Sequence, residues 1–116
     1  MLRIMLKSKI HRATVTEANL EYEGSITIDS ALMEAADLVP AEKVLVADLT
    51  NGARIETYVI PAEAGSGIIC INGAAAHRVN VDDIVIIMGF GLMDEKERQS
   101  FQPKKIVVNK ENKVIS

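Results

Sequence analysis

Apolar positions recur in short runs, and most of them repeat every second residue, the period of a strand with one buried face. Met1–Lys9 alternates loosely, and Ala13–Asn19 carries Thr14, Val15 and Thr16; both segments predict strands. Ser25–Ile28 predicts another. The period then changes. Leu32, Ala35, Ala36 and Val39 form a helical stripe, so a helix is expected over Ala31–Leu38, capped by Asp29 and Ser30 and ended by Pro40. Glu42–Leu49 holds the run Val44-Leu45-Val46-Ala47, which reads as a buried strand. Thr50-Asn51-Gly52 predicts a tight hairpin turn, because Asn-Gly accepts positive φ at both central positions, and Arg54–Ile60 is the partner strand.

Pro61–Gly67 reads as a loop, Gly67–Ile71 as a strand, and Asn72–His77 as a turn or a single helical turn. Val81–Met88 is a strongly apolar strand. Asp94 begins a short helix to Ser100, and Lys104–Val108 is a last strand. The polar segment Asn109–Ser116 predicts a loose end. Six to eight short strands with few helices predict a mostly β chain folded as one small closed barrel over residues 1–116, since closure removes exposed strand edges.

Composition narrows the function. The chain has 116 residues and a net charge of −3. A surface of that sign argues against nucleic acid as a partner, because phosphate binding needs dense Lys and Arg. With two Tyr, two Phe and no Trp there is little material for a base-stacking surface. No apolar run reaches the roughly 20 residues that cross a bilayer. MLRIMLKSKIHRA lacks the unbroken apolar stretch of a signal peptide, so a cytoplasmic location without membrane contact is expected. One cysteine, Cys70, and two histidines, His11 and His77, give neither a disulfide nor a typical zinc set, and no metal is expected. Cys70, within Ile68-Ile69-Cys70-Ile71, reads as a small buried hydrophobe. Glu21 and Glu23 read as solvated.

The residues that could carry chemistry begin with Gly24-Ser25, between two predicted strands. In general such a pair is a turn. It can also be a self-cleavage point, if the serine hydroxyl attacks the carbonyl carbon before it in a strained backbone. Glycine in front leaves that approach open. The ester so formed can eliminate to dehydroalanine. Hydrolysis of that group releases ammonia and leaves a pyruvoyl ketone. Arg54 follows a tight turn and could fork onto a carboxylate, or be a solvated strand residue. Lys9 could be a second cation, or a surface lysine. Tyr58 could be a general acid, or a half-buried strand tyrosine. Thr57 could donate to the Gly24 carbonyl, or serve only as a β-former. Arg54 and Tyr58 share a strand face about 13 Å apart, with Thr57 on the other face, so one small ligand does not reach all three. The small side chains of Asn72, Gly73, Ala74 and Ala75 would let a ligand approach backbone N–H groups, or simply start a helix.

Four stretches together carry a resemblance: MLKSKIHRATVT with Lys9 and His11; YEGS with Tyr22, Gly24 and Ser25; NGARIETY with Arg54, Thr57 and Tyr58; and INGAAAH followed by DDIVII. In this order and spacing, over residues 1 to about 100, the chain resembles the pyruvoyl-dependent aspartate 1-decarboxylases. The resemblance implies a six-stranded double-psi β-barrel and a cytoplasmic homotetramer with active sites at subunit interfaces. It implies self-cleavage into chains 1–24 and 25–116, with a covalent pyruvoyl group made from Ser25 in place of pyridoxal phosphate. That ketone would condense with L-aspartate as a Schiff base, Tyr58 would protonate the carbon left by CO₂, and β-alanine for pantothenate and coenzyme A would be released. Lys9, Arg54, Thr57 and Asn72 to Ala75 would bind substrate. Thr57, His11 and Tyr22 would support processing, with a maturation factor as a further partner. Two alternatives stay open: a precursor that remains an unprocessed zymogen, and a non-catalytic β-barrel interaction module.

Overall fold

The computed structural model describes residues 1–116. In chain order it contains β1 (Arg3–Thr14), β2 (Glu17–Asn19), β3 (Ser25–Asp29), α1 (Ser30–Ala35), β4 (Lys43–Asp48), β5 (Arg54–Ala62), β6 (Ile69–Asn72), a 3-10 helix (Gly73–His77), β7 (Ile84–Met93), α2 (Glu95–Ser100) and β8 (Lys104–Val107). The strands form one mixed sheet in the order β2-β6-β3-β5-β4-β7-β1-β8. The expected mostly β architecture is present. Its end members β2 and β8 do not pair, so the sheet is not closed by hydrogen bonds as the expected barrel would be. The chain itself joins the two ends instead. β2 follows β1 after two residues, and across that link Val15 N–H donates to Asp83 O and Thr16 N–H to Ile69 O.

The core lies on one face of this curled sheet. Ile10, Ile26, Ile28, Ile69, Ile71 and Ile87 are fully buried there. Leu32 and Met33 of α1 close over it, because Asp29 caps the helix by accepting from Ala31 N–H at 2.8 Å.

Several boundaries differ from the sequence reading: β7 runs from Ile84 to Met93 rather than from Val81 to Met88, and α1 ends at Ala35 rather than Leu38. The first two predicted strands are not separate at Lys9, since β1 runs unbroken to Thr14. Its register shifts between Ile10 and Ala13, where Arg12 takes φ +67°, and this bulge turns the strand end toward β6. The β4–β5 connection is not a two-residue turn. Only Gly52 takes positive φ, because Asp48 Oδ1 accepts from both Thr50 and Asn51 N–H and shapes a longer loop. Strand β5 continues through Pro61, beyond the last β4 pair at Tyr58.

The end segment is ordered rather than loose. Asn112, at φ +61° and 1% exposed, donates through Nδ2 to Thr14 O and Gly67 O at 2.9 and 2.8 Å. Its Oδ1 accepts from Thr14 N–H at 2.8 Å. A side-chain Cβ at Gly67 would sit 2.9 Å from Glu111 O, so this clasp needs glycine there. Asp29 ties the same loop from below, accepting from Gly65 and Gly67 N–H, both at 2.9 Å. Burial alone would raise the Asp29 pKa. The N–H groups of Gly67, Ala31 and Gly65, with Lys113 nearby, outweigh it and lower the value below 3.8.

Asp48 shifts the other way. Burial is the main cause, and the Asp83 carboxyl beside it adds to the rise above 3.8. Folding therefore binds a proton at Asp48 between 3.8 and the raised value, and stability falls as pH rises through that window. Asp48→Asn keeps an acceptor for the Thr50 and Asn51 N–H groups and gives Asp83 a donor. It should raise stability by about 1 kcal/mol at pH 7 and flatten the fall above pH 4, as read by thermal denaturation across pH. Asn112→Ala strands three buried backbone groups. It should cost about 2–3 kcal/mol and lower Tm by roughly 10 °C, measured by calorimetry.

Candidate active site

Strand β3 lies between two neighbours of opposite direction. It pairs antiparallel with β6, setting Ser25 opposite Asn72 and Thr27 opposite Cys70. It pairs parallel with β5, setting Ile26 opposite Val59, so Tyr58 lies at the level of Ser25 and Thr57 at the level of Gly24. Alternation sends Ile26, Val59 and Ile71 into the core, and Ser25, Tyr58 and Asn72 to the opposite face.

On that face Ser25 is nevertheless 0% exposed, covered by the turn that precedes it. Its hydroxyl donates to Glu23 O at 2.9 Å and accepts from Asn72 Nδ2 at 3.0 Å. The same amide donates to Thr27 Oγ1 at 2.9 Å, and its Oδ1 accepts from Cys70 Sγ at 3.2 Å. A Cβ on Gly73, which has φ +75°, would lie 2.7 Å from Gly24 Cα and 2.9 Å from Gly24 N. Gly73 thus packs backbone against backbone on the residue before Ser25, and no other side chain fits. A Cβ on Gly24 would meet nothing within 4 Å. The steric demand for glycine therefore falls on Gly73, not on Gly24.

The structure brings Gly24, Ser25, Asn72 and Gly73 into contact, with Tyr22 O against Gly73 and Tyr22 beside Tyr58; Thr57 lies next to Tyr58 on β5 but, by alternation, on the other face of that strand. Burial, then the neighbouring Glu23 carboxylate and Tyr22, raises the Tyr58 pKa above 10, so the hydroxyl keeps its proton. Thr57 makes no hydrogen bond to the Gly24 carbonyl in this intact chain. Ala74 is exposed at the surface end of the 3-10 helix and Ala75 is half-buried.

Other expected residues stand apart. Arg54 is exposed at the start of β5, opposite Ala47. Lys9 and His11 are on β1, four strands from β3 in the sheet order. At normal strand spacing that is roughly 19 Å. Lys9, Arg54 and Tyr58 nevertheless share the face away from the core, since Lys9 pairs with Met88, Met88 with Leu45, and Leu45 with Glu56, two residues from both Arg54 and Tyr58. Ile4, Phe90 and Leu92 add an exposed apolar patch to that face.

Two residues read otherwise in the sequence belong to this cluster. Glu23 is exposed, as expected, but its carboxylate also neighbours Tyr58 and its backbone carbonyl accepts a hydrogen bond from the Ser25 hydroxyl. Cys70 is buried, as expected, but it is also a hydrogen-bond donor to Asn72. Its spacing of two from Asn72 on one strand was the available signal.

Comparison with known proteins gives the family. Residues 1–115 match the family model described as aspartate decarboxylase. The aspartate 1-decarboxylase of Moorella thermoacetica is 59% identical over 116 residues, covering all of this chain and 91% of that protein. Those of Listeria monocytogenes and Acetivibrio thermocellus are each 57% identical, over 98% and 100% of this chain and 90% and 92% of theirs. With residues 1–115 inside the family model and relatives at 57–59% identity over nearly the whole chain, the chain belongs to the aspartate decarboxylase family.

Proposed function

We propose that the chain cleaves itself between Gly24 and Ser25, converts Ser25 into a pyruvoyl group, and decarboxylates L-aspartate to β-alanine and CO₂. The observation that carries this reading is the buried Ser25 hydroxyl, held by an Asn72 N–H and roofed by Gly73 lying on Gly24. Such a cradle suits a residue that is first a nucleophile and then a small planar ketone.

In the first stage Ser25 Oγ turns from Glu23 O and attacks the Gly24 carbonyl carbon. Its proton passes to the Ser25 nitrogen as the peptide C–N bond breaks, leaving an ester. Thr57, at the level of Gly24, donates to the carbonyl oxygen as charge develops there. Tyr22 O already packs on Gly73, which keeps the scissile turn in place. His11, on β1 and four strands from β3 in the sheet order, supports processing in this reading. Elimination then removes the Ser25 Cα proton and breaks the Cβ–O bond, forming the Cα=Cβ double bond of dehydroalanine and freeing the Gly24 carboxyl group, which carries the proton away. Water replaces the amine on the new terminus and releases ammonia.

The ketone supplies an electron sink for the carbon that loses CO₂. The chain's residues do the rest. Tyr58 holds its proton next to position 25 and delivers it to that carbon. Arg54 and Lys9 bind carboxylate. Lys9 is four strands from β3 in the sheet order and Arg54 is four residues from Tyr58 along β5, so this reading has a second copy bring them to the site. The exposed patch of Ile4, Phe90 and Leu92 on the same face is the surface for that contact, within a homotetramer. Asn72 to Ala75 line the opening with small groups. The double-psi barrel is the architecture this reading assigns to the curled sheet. No helix is long and apolar enough to cross a membrane, which accords with the cytoplasmic setting proposed here.

A second reading is favoured by one contact. The Ser25 proton is donated to Glu23 O, not poised for transfer at Gly24. A chain resting in this arrangement is a slow zymogen, and a maturation factor that turns the hydroxyl would speed it.

Denaturing intact-mass analysis should show two chains, 1–24 and 25–116, the larger without a free amine. Ser25→Ala should stay whole and inactive. One intact wild-type chain after prolonged warming would favour the zymogen, and full-length protein unaffected by any partner would leave only an interaction module. Arg54→Ala should cleave normally but lose roughly 10- to 100-fold in kcat/KM, mostly through KM, as expected for one charged contact.

A further inference from the structure

Cys70 stands directly behind the residue that holds Ser25. β6 places Cys70 and Asn72 on one face, opposite Thr27 and Ser25. A chain of hydrogen bonds runs along them: Cys70 Sγ to Asn72 Oδ1 at 3.2 Å, then Asn72 Nδ2 to Ser25 Oγ at 3.0 Å and to Thr27 Oγ1 at 2.9 Å. Cys70 is 7% exposed and Asn72 2%.

We propose that Cys70 is a positioning residue for self-cleavage: its thiol proton, donated to Asn72 Oδ1, keeps the amide turned so that an N–H faces Ser25. This rests on the self-cleavage reading above. An asparagine amide has an accepting end and a donating end of nearly the same shape. Turned by 180°, Asn72 would set Nδ2 against the thiol proton and Oδ1 against two hydroxyls. The Ser25 hydroxyl would then donate to Asn72 and be drawn away from Gly24. A donor at position 70 selects between the two orientations, and neither alanine nor valine can do so.

Three observations bear on where the thiol proton goes. Asn72 Oδ1 accepts no other hydrogen bond in the fold, so it would be stranded in a buried site without Cys70. Glu17 is paired with Cys70 across β2–β6 and also lies within reach of the thiol. Its carboxylate is exposed and already solvated, so losing a thiol contact costs it little. Burial, with Glu17 adding, pushes the Cys70 pKa above 9.0, and the sulfur keeps the proton it must donate.

The test follows cleavage of freshly translated full-length protein by intact mass, at one temperature below the melting points of all variants. Cys70→Ser keeps a donor. Cys70→Ala and Cys70→Val remove it, by shrinking the side chain and by nearly matching its volume. Serine should cleave within about threefold of wild type, while alanine and valine both slow it roughly tenfold, the effect of one buried hydrogen bond. A role in packing alone would order the variants by volume, with valine nearest wild type and alanine and serine alike; that order overturns the proposal. So does an unchanged rate in all three. A wild type that never cleaves at Gly24 instead overturns the self-cleavage reading itself and, with it, this role.

Discussion

The mixed pairing of β3 governs the rest of the molecule. A parallel neighbour on one side and an antiparallel neighbour on the other fix its level twice, independently. A one-residue slip against either strand would turn Ser25 into the core and expose Ile26 and Ile28. The hydrophobic cost of that slip is what holds the serine hydroxyl against Asn72. The core and the site are thus two faces of one register, and neither can be altered without the other.

Polar groups then secure the ends of β3 where apolar packing runs out. At its start the Gly73–Gly24 contact locks the turn by excluded volume. At its finish Asp29 serves three N–H groups at once, capping α1 and holding the 65–67 loop. Asn112 closes over that loop from the chain's far end. The strand that carries Ser25 is therefore held by residues drawn from almost the whole chain.

Much of this was legible in the sequence. Period-two runs gave most strands, Asp29 and Asp94 gave the two caps, and the stretches around Gly24 and Asn72 pointed to residues that the fold places in contact. What was not legible is long-range. Nothing local shows that a polar tail will bury Asn112 beneath Thr14, because its partners Thr14 and Gly67 are 98 and 45 residues away. The Arg12 bulge hid the continuity of β1, since a bulge interrupts alternation without ending a strand. Strand number suggests a barrel, but the hydrogen-bonded sheet is open, and whether its edges meet depends on twist and stagger, which have no signature in residue type. Cys70 was legible as buried and not as a donor, because hydropathy records the sulfur and ignores its proton.

β1 is an interior strand, flanked by β7 along most of its length and by β8 at its middle. It also belongs wholly to the segment before Gly24. With the proposed cut made, a strand central to the sheet is covalently free of everything it pairs with. Folding before the cut is a one-molecule event; reassembly afterwards needs two pieces to meet, so its molecularity changes. The uncut chain is the form in which this fold can be reached from dilute solution, and the cut records that folding has already succeeded. The matured protein would keep its shape through the slowness of strand release rather than through any tether, and its apparent stability would depend on protein concentration.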